Sequence, residues 1–342
     1  MPVRVEILEE PNPACDAFVK ANPQGRLAYL PAWAEMIANT FGCKSFYLIA
    51  RRENIEGVLP MMQAKSLLFG NRMVSQAFSN YGGIIANSDA ARDALFAKAV
   101  ELAQIQRCET IEFRNIKPLP YDLHLREDKL TMFIPLEAGA EHVWKKARTE
   151  VRKQTRKAIK NGLVAVDGGA ELMDVFYDIY SRRMHELGTP AFPRKLMAMM
   201  IERFPDNVRL FAVRLGDVTV SAGLMTYFNG IAEIPWSATV GKFNRLYPNR
   251  LLYWTMIKYY GDHGARLFDF GRSSVGGGNY EFKRRWRAEP VKLNYQYWVR
   301  PGHKLSVTSP DNPRYHKKVE MWKKLPLWTA RLVGPIISQH LV

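Results

Sequence analysis

Cysteine is scarce: Cys15, Cys43 and Cys108 are the only three in 342 residues. With an odd count and no CxxC pair, neither a disulfide framework nor a thiolate zinc site is indicated, and the three read as buried, reduced thiols. No apolar run approaches the roughly 18 to 20 residues that cross a bilayer. The start of the chain, with Glu6, Glu9 and Glu10, lacks the basic-then-apolar order of a signal peptide, so the protein is expected in the cytoplasm. The seven histidines show no HExxH and no ligand pairing, which argues against a metal centre. Acidic residues are also in the minority, 33 against 49 Lys and Arg, for a net charge of +16. Such a balance draws polyanions: RNA, anionic lipid, acidic carrier proteins or phosphorylated substrates, against the plain alternative of a basic protein that binds none of them.

Aromatic and apolar residues are plentiful, with 47% apolar overall, which excludes disorder as the main state. At about 150 residues per domain the length suits two domains or one large one. Residues 46–62 are two apolar runs around Arg51-Arg52-Glu53-Asn54, the pattern of a hairpin; residues 208–228 repeat it around Gly216-Asp217. Each returning strand carries a small residue, Gly57 and Gly223. A helical pattern and a short strand follow each hairpin, at Ala90 to Gln106 and Thr110 to Arg114, then at Asn249 to Gly261 and Arg266 to Phe270. This predicts a duplicated α/β unit offset by roughly 160 residues.

Between the copies, Trp144 to Gly162 reads as one amphipathic helix, with eight Lys and Arg between Lys145 and Lys160 against the single acid Glu150. Like-charge crowding of this kind weakens a helix unless an anion lies nearby; a solvated basic face is the alternative. After Pro301 the chain turns basic and then apolar, with Arg314, His316, Lys317, Lys318, Lys323 and Lys324 before Leu325, Trp328, Leu332 and Ile336. That order suits a membrane interface or a helix docked on the body, with Pro326 and Pro335 as interruptions. The expected division is a first domain at 1–143, a basic linking helix at 144–162, a second domain at 163–300, and a C-terminal segment at 301–342.

Gly271-Arg272-Ser273-Ser274-Val275-Gly276-Gly277-Gly278 comes close to several signatures and fails each on one residue. Val275 breaks a nucleophile elbow, Gly277 stands where a P-loop needs Lys, and Glu281 stands where a dinucleotide fingerprint needs Gly. A strand ending in glycines, with Arg272, Lys283, Arg284, Arg285 and Arg287 around it, nonetheless suits a phosphate or an oxyanion. Asp269 points opposite to Phe268 and Phe270 on an extended strand, and serves either as a base or as a partner of a nearby Arg. Pro248-Asn249-Arg250 opens a helix whose N-terminus also favours an anion.

Several motifs in fixed order, Ser79 to Gly83, Arg152 to Ala158 with Asn161-Gly162, Gly188 to Pro190, Pro235-Trp236, Phe268 to Ser273, and Tyr280 to Lys283 with Trp286, resemble the FemAB-like branch associated with exosortase/PEP-CTERM systems. The likeness runs from about Trp33 to Trp298. That branch is similar to the Fem peptidyltransferases, so the resemblance implies two tandem GNAT-like (Gcn5-related N-acetyltransferase) domains with mixed, mostly antiparallel sheets flanked by helices. It implies transfer of an aminoacyl or acyl group to an amine, in a setting of exopolysaccharide production and protein sorting. Phe282-Lys283 resembles the Fem-family Phe-Lys pair implicated in catalysis and substrate binding. No segment is long enough for the helical-hairpin arm of Gram-positive Fem enzymes, and no Gly-rich acetyl-CoA turn is evident near Asn249. The donor therefore stays open among aminoacyl-tRNA, acyl-CoA and acyl carrier protein.

The function expected from these readings is an acyl- or aminoacyltransferase acting on a cell-envelope or exopolysaccharide precursor, with a saccharide or lipid-linked acceptor and no metal. Lys283, Asp269 and Arg272 are the candidate catalytic residues; Phe282, Tyr280, Trp236, Tyr81, Arg152, Lys153 and Trp286 are the candidate substrate contacts. The tail leaves two readings open, peripheral contact at the inner face of the cytoplasmic membrane or a helix docked on the body of the protein. The alternative is a noncatalytic RNA- or membrane-binding assembly factor working through exposed charge.

Overall fold

A computed structural model of the chain describes residues 1–10, 12–66, 70–305 and 313–339. The expected tail includes residues 306–312 and 340–342, which lie outside the described residues, as do the side chains of Arg314 and His316. Chain contacts divide it into one unit of residues 1–129, 292–309 and 339–342, and another of 130–291 and 310–338.

The first unit begins with β1 (Arg4–Ile7), α1 (Pro13–Ala21), α2 (Pro31–Phe41), β2 (Lys44–Arg51), β3 (Ile55–Ser66), β4 (Gly70–Ser75) and β5 (Ile85–Ala86). α3 (Asp89–Ile105), β6 (Thr110–Asn115) and β7 (His124–Arg126) follow. The second unit runs through β8 (Lys129–Pro135), α4 (Ala140–Lys146), α5 (Thr149–Lys160), β9 (Leu163–Gly168), α6 (Met173–Glu186), α7 (Arg194–Arg203), β10 (Val208–Leu215), β11 (Val218–Phe228) and β12 (Ile231–Thr239). It continues with α8 (Pro248–Asp262), β13 (Leu267–Asp269), β14 (Ser273–Ser274), α9 (Gly278–Arg284) and β15 (Glu289–Lys292). β16 (Asn294–Val299) returns to the first unit, and α10 (Pro313–Lys324) and α11 (Leu327–Ser338) complete the second.

The duplication expected from the sequence is present in the strand order. The first sheet runs β1-β2-β3-β4-β6-β16-β7 and the second β14-β8-β13-β12-β11-β10-β9. In each, a hairpin leads into an antiparallel partner, and the strand after the crossover helix returns parallel: β4 with β6 across α3, β12 with β13 across α8. The small residues on the returning strands have a steric cause. A Cβ at Gly57 would crowd Leu95 of α3, and one at Gly223 would collide with Met256 of α8, so glycine lets each crossover helix settle on its sheet. Ser88 caps α3 by accepting from Ala91 N (3.2 Å). Each sheet has its own core: Leu48, Leu59, Met73, Leu95, Ile111 and Phe113 in the first unit; Met132, Phe211, Val220, Met225, Met256 and Phe268 in the second.

Three sequence expectations change. First, β8 joins β13 of the second sheet (Phe268 opposite Ile134) although it precedes residue 143, and β16 joins β6 of the first sheet (Trp298 opposite Ile111) although it precedes residue 300. Second, the helix expected from Trp144 to Gly162 is two helices. Ala147 and Arg148 are extended, with ψ of 145° and 144°. The Arg148 N–H is taken by Arg285 O (3.1 Å), and the Arg152 guanidinium caps the carbonyls of Lys145 (2.8 Å) and Ala147 at the end of α4. Third, α5 is no separate linker. Val151, Thr155 and Ala158 are buried, and Val151 and Ala158 join the core of the second unit. The tail docks on α6: Arg331 donates to Ser181 Oγ (3.0 Å) and is ion-paired with Asp178. Among the described residues no helix is long and apolar enough to cross a membrane.

Candidate functional site

The candidate site lies in the second unit, around the end of β13. Asp269 is its last residue and is fully buried. Its Oδ1 accepts from Thr131 Oγ1 of β8 (2.7 Å) and from Gly271 N (2.8 Å). The chain then turns through Gly271 at φ +69°, a conformation that glycine takes without a Cβ penalty. This turn aims the carbonyls of Gly271 and Arg272 at α9, where Lys283 Nζ donates to both, at 2.8 and 3.1 Å. One strand end is thus held from two sides, by a carboxylate on its N–H and an ammonium on its carbonyls.

Lys283 is only 5% exposed. Burial pushes its ammonium down to about 8, opposed by the negative charge of Asp269. An ammonium has three N–H donors, and two of them are spent on the carbonyls. Beside it, Ser273 is buried and its Oγ finds no hydrogen-bond partner among the described residues. Arg272 has an exposed side chain and joins Asp269 and Lys283 through its backbone, its carbonyl accepting from Lys283 Nζ.

The neighbouring Phe282 leads to a residue that was noticed in the sequence only as part of a helix start. The guanidinium of Arg250, in the first turn of α8, lies 4.3 Å from the Phe282 ring centroid. Arg250 is 4% exposed, donates from Nε to Gln154 Oε1 of α5 (2.9 Å), and leaves Nη1 buried without a hydrogen-bond partner among the described residues. Burial pushes it down to about 10; Arg285 adds to the effect and Glu150 opposes it. Glu150 is ion-paired with Arg285 (3.0 Å). A buried cation without its own carboxylate is costly and invites an anion.

An aromatic chain connects this corner to the end of β12. Tyr253 of α8 meets Phe282 edge-on (centroids 4.9 Å), stacks on Phe270 (5.4 Å), and shares a hydrogen bond with Ser237 (3.0 Å). Its neighbour Trp236 lies edge-on to Tyr180 of α6 and to Phe192. The register between β11 and β12 shifts between Leu224 and Thr226, opposite Pro235, so the ladder opens where Trp236 stands.

The other expected contacts separate into groups. Tyr280 is half-buried and packs on the core of the second unit. Lys153 is exposed on α5, with Arg156, Lys157 and Lys160. Arg152 is engaged in capping α4, which replaces the anion contact expected of it. Trp286 is fully buried in the core of the second unit, and Tyr81 is buried in the first unit under Arg26 (5.4 Å). In this conformation both are packing side chains. Among the described residues no group of three or more His, Cys, Asp or Glu gathers in metal-binding geometry.

Comparison with known proteins agrees with the fold. Residues 145–284 match a family model described as an acetyltransferase (GNAT) domain. The chain is 21% identical over 369 residues to a lipid II:glycine glycyltransferase of Staphylococcus aureus (strain MRSA252), covering 79% of this chain and 87% of that protein. A crystal structure of FemX superposes with a TM-score of 0.66 at 16% identity, over 85% of this chain and 97% of that one. A tandem GNAT protein from the clavulanic acid biosynthesis pathway follows at 0.50 and 11% identity, over 89% of this chain and all of that one. The architecture is two GNAT-like domains, and the relatives are of Fem and GNAT type.

Proposed function

We propose that the protein is a Fem-like N-acyltransferase that moves an activated aminoacyl or acyl group onto an amine of a cell-envelope precursor. The observation that carries this reading is the pair of buried cations, Lys283 and Arg250, neither ion-paired with a carboxylate among the described residues, beside the strand end of a GNAT-like sheet. A surface that binds polyanions by charge alone has no use for cations withdrawn from solvent, and this weighs against the assembly-factor alternative.

In the proposed reaction the acceptor amine attacks the donor's ester or thioester carbonyl, a C–N bond forms, and the carbonyl becomes a tetrahedral oxyanion. Collapse breaks the C–O or C–S bond, and the amine's proton passes by way of solvent to the departing oxygen or sulfur, which leaves as the alcohol or thiol. The third N–H of Lys283 is available for the oxyanion. Asp269 acts as a positioning residue, fixing the Gly271 turn that orients Lys283. Arg250 Nη1 and the exposed cations of α5 take a phosphate of the donor, at a helix start that favours negative charge. Trp236 and Tyr280 border the acceptor. The name of the staphylococcal relative supports an aminoacyl group and a lipid-linked acceptor, and a lipid-linked acceptor is in keeping with a reaction at the inner face of the cytoplasmic membrane. The motif likeness to the exosortase/PEP-CTERM-associated branch supports an acceptor in exopolysaccharide production.

The test is single-turnover transfer from charged tRNA, acyl-CoA and acyl carrier protein to lipid-linked and saccharide amines, followed by mass spectrometry of the amide. Wild-type protein should form product with one donor class, and Lys283→Ala should lower the rate on the order of 100-fold. Normal turnover in a folded Lys283→Ala protein overturns the assignment of Lys283; no product from any donor overturns the transferase reading.

A further inference from the structure

The tail carries a feature that the transfer chemistry does not use. α11 presents one face to α6, with Ala330, Gly334 and Ser338 buried. Its one charged residue, Arg331, is turned inward and bonded to Asp178 and Ser181. The opposite face holds Trp328, Leu332 and Ile336, at 66%, 65% and 62% exposed, with Val333 beside them. Positions 328, 332 and 336 are successive turns of one stripe. A docked surface helix ordinarily turns polar residues outward, and this one turns out large apolar groups alone. The preceding α10 adds Met321, 70% exposed, and the exposed lysines Lys317, Lys318, Lys323 and Lys324. Pro335 does not break the helix, which continues through it to Ser338, and Pro326 precedes the first turn. At about 1.5 Å per residue, twelve residues reach far short of a bilayer's thickness but suit a helix lying in its surface.

We propose that this outward face of α11, with the exposed lysines of the preceding α10, of which Lys323 is ion-paired with Glu320 (2.8 Å), docks on an anionic lipid bilayer. Trp328, Leu332 and Ile336 enter the headgroup region, and the lysines meet lipid phosphates. The Arg331–Asp178 clamp holds α11 on α6 and so carries the second unit to the surface. A second copy of this chain is the poorer occupant, because two faces bearing the same lysines repel and the whole chain carries +16. The proposal deepens the reading of a lipid-linked acceptor and rests on it for its purpose. Its test needs no turnover, so the two fail separately.

The experiment is sedimentation of the full chain with vesicles of phosphatidylglycerol and phosphatidylcholine, and with phosphatidylcholine alone. Wild-type protein should bind the anionic vesicles at least tenfold more tightly, and less so as salt rises. W328S/L332S/I336S should lose tenfold or more, with a melting temperature near wild type because these side chains are exposed. K317Q/K318Q/K323Q/K324Q should lose the preference for phosphatidylglycerol. Wild-type protein left in the supernatant with anionic vesicles overturns the proposal, as does a folded triple variant that binds like wild type. Self-association lost in the triple variant, with no vesicle binding, assigns the face to a second copy instead.

Discussion

Arg26 and Arg114 are buried in the first unit and Arg250 in the second, and the surroundings of Arg114 and Arg250 differ in charge. In the first, Arg114 on β6 is ion-paired with Glu112 (2.7 Å), donates to Ser79 O (2.7 Å) and lies over the Tyr295 ring. Burial pulls its guanidinium down, yet the charge of Glu112 holds it above its ordinary value. In the second, Arg250 has a neutral amide for a partner, a like charge nearby, and a value pushed down to about 10. The same fold plan therefore holds one cation whose charge is balanced by the protein and one whose charge is not. A buried ion pair has its charge met within the fold, whereas a buried cation with only a neutral partner is one that an anionic ligand can neutralise.

The largest test of this contrast is thermal. Glu112→Gln leaves Arg114 buried without its counterion and should cost about 3–5 kcal/mol of stability. Arg250→Met removes a buried charge whose only carboxylate influence is Glu150, itself ion-paired with Arg285, so its stability should change by no more than about 1 kcal/mol in either direction. Urea unfolding of the two variants checks the pair; equal losses would erase the distinction.

Lys283 sharpens the comparison through pH. Its folded value of about 8 lies below the ordinary 10.5. Between these values the unfolded chain binds more protons than the folded one, so stability rises with pH across that window. The cost of the buried charge is fully present below about pH 8 and is relieved by pH 10.5. Melting curves of wild type and Lys283→Met from pH 7 to 10.5 should show wild type gaining on the variant, by up to about 3 kcal/mol. A constant gap would mean that Lys283 is not held as a desolvated cation. If the ammonium donates to the oxyanion, transfer should decline as pH passes 8.

Much of the fold was legible because its signals are local. The hairpins at 46–62 and 208–228 carry alternating apolar runs and clear turns, and Gly57 and Gly223 mark where the crossover helices press. Sheet membership is not local: nothing in Lys129–Pro135 or Asn294–Val299 says which sheet each strand will join. The break at Ala147-Arg148 has no Pro or Gly to announce it, because its causes are Arg285, 137 positions away, and the side chain of Arg152. At the site, Phe282-Lys283 and Asp269 stood out by motif and strand phase. The burial of Lys283 did not, since its partners are backbone carbonyls with no residue signature. Arg250 was visible only as part of a helix start, and its isolation became apparent once its neighbours were placed.

The smallest effect concerns α5. Lys153→Gln, Arg156→Gln and Lys157→Gln together should weaken donor binding several-fold and flatten its salt dependence, because exposed charges act through a screened field. Arg152→Gln should act on stability, through the carbonyls it caps, and leave the salt slope unchanged. Equal salt slopes in wild type and the triple variant would make α5 a solvated face.

The central claim, that the uncompensated cation of the second unit is kept for the donor, is tested most directly by donor-induced thermal stabilisation. A ligand that binds only folded protein raises the melting temperature, by an amount that grows with the logarithm of its concentration over its Kd. With the acyl donor identified by the transfer assay at saturating concentration, wild type and Glu112→Gln should both shift upward, and Arg250→Met should shift little or not at all. A full upward shift in Arg250→Met would contradict the account.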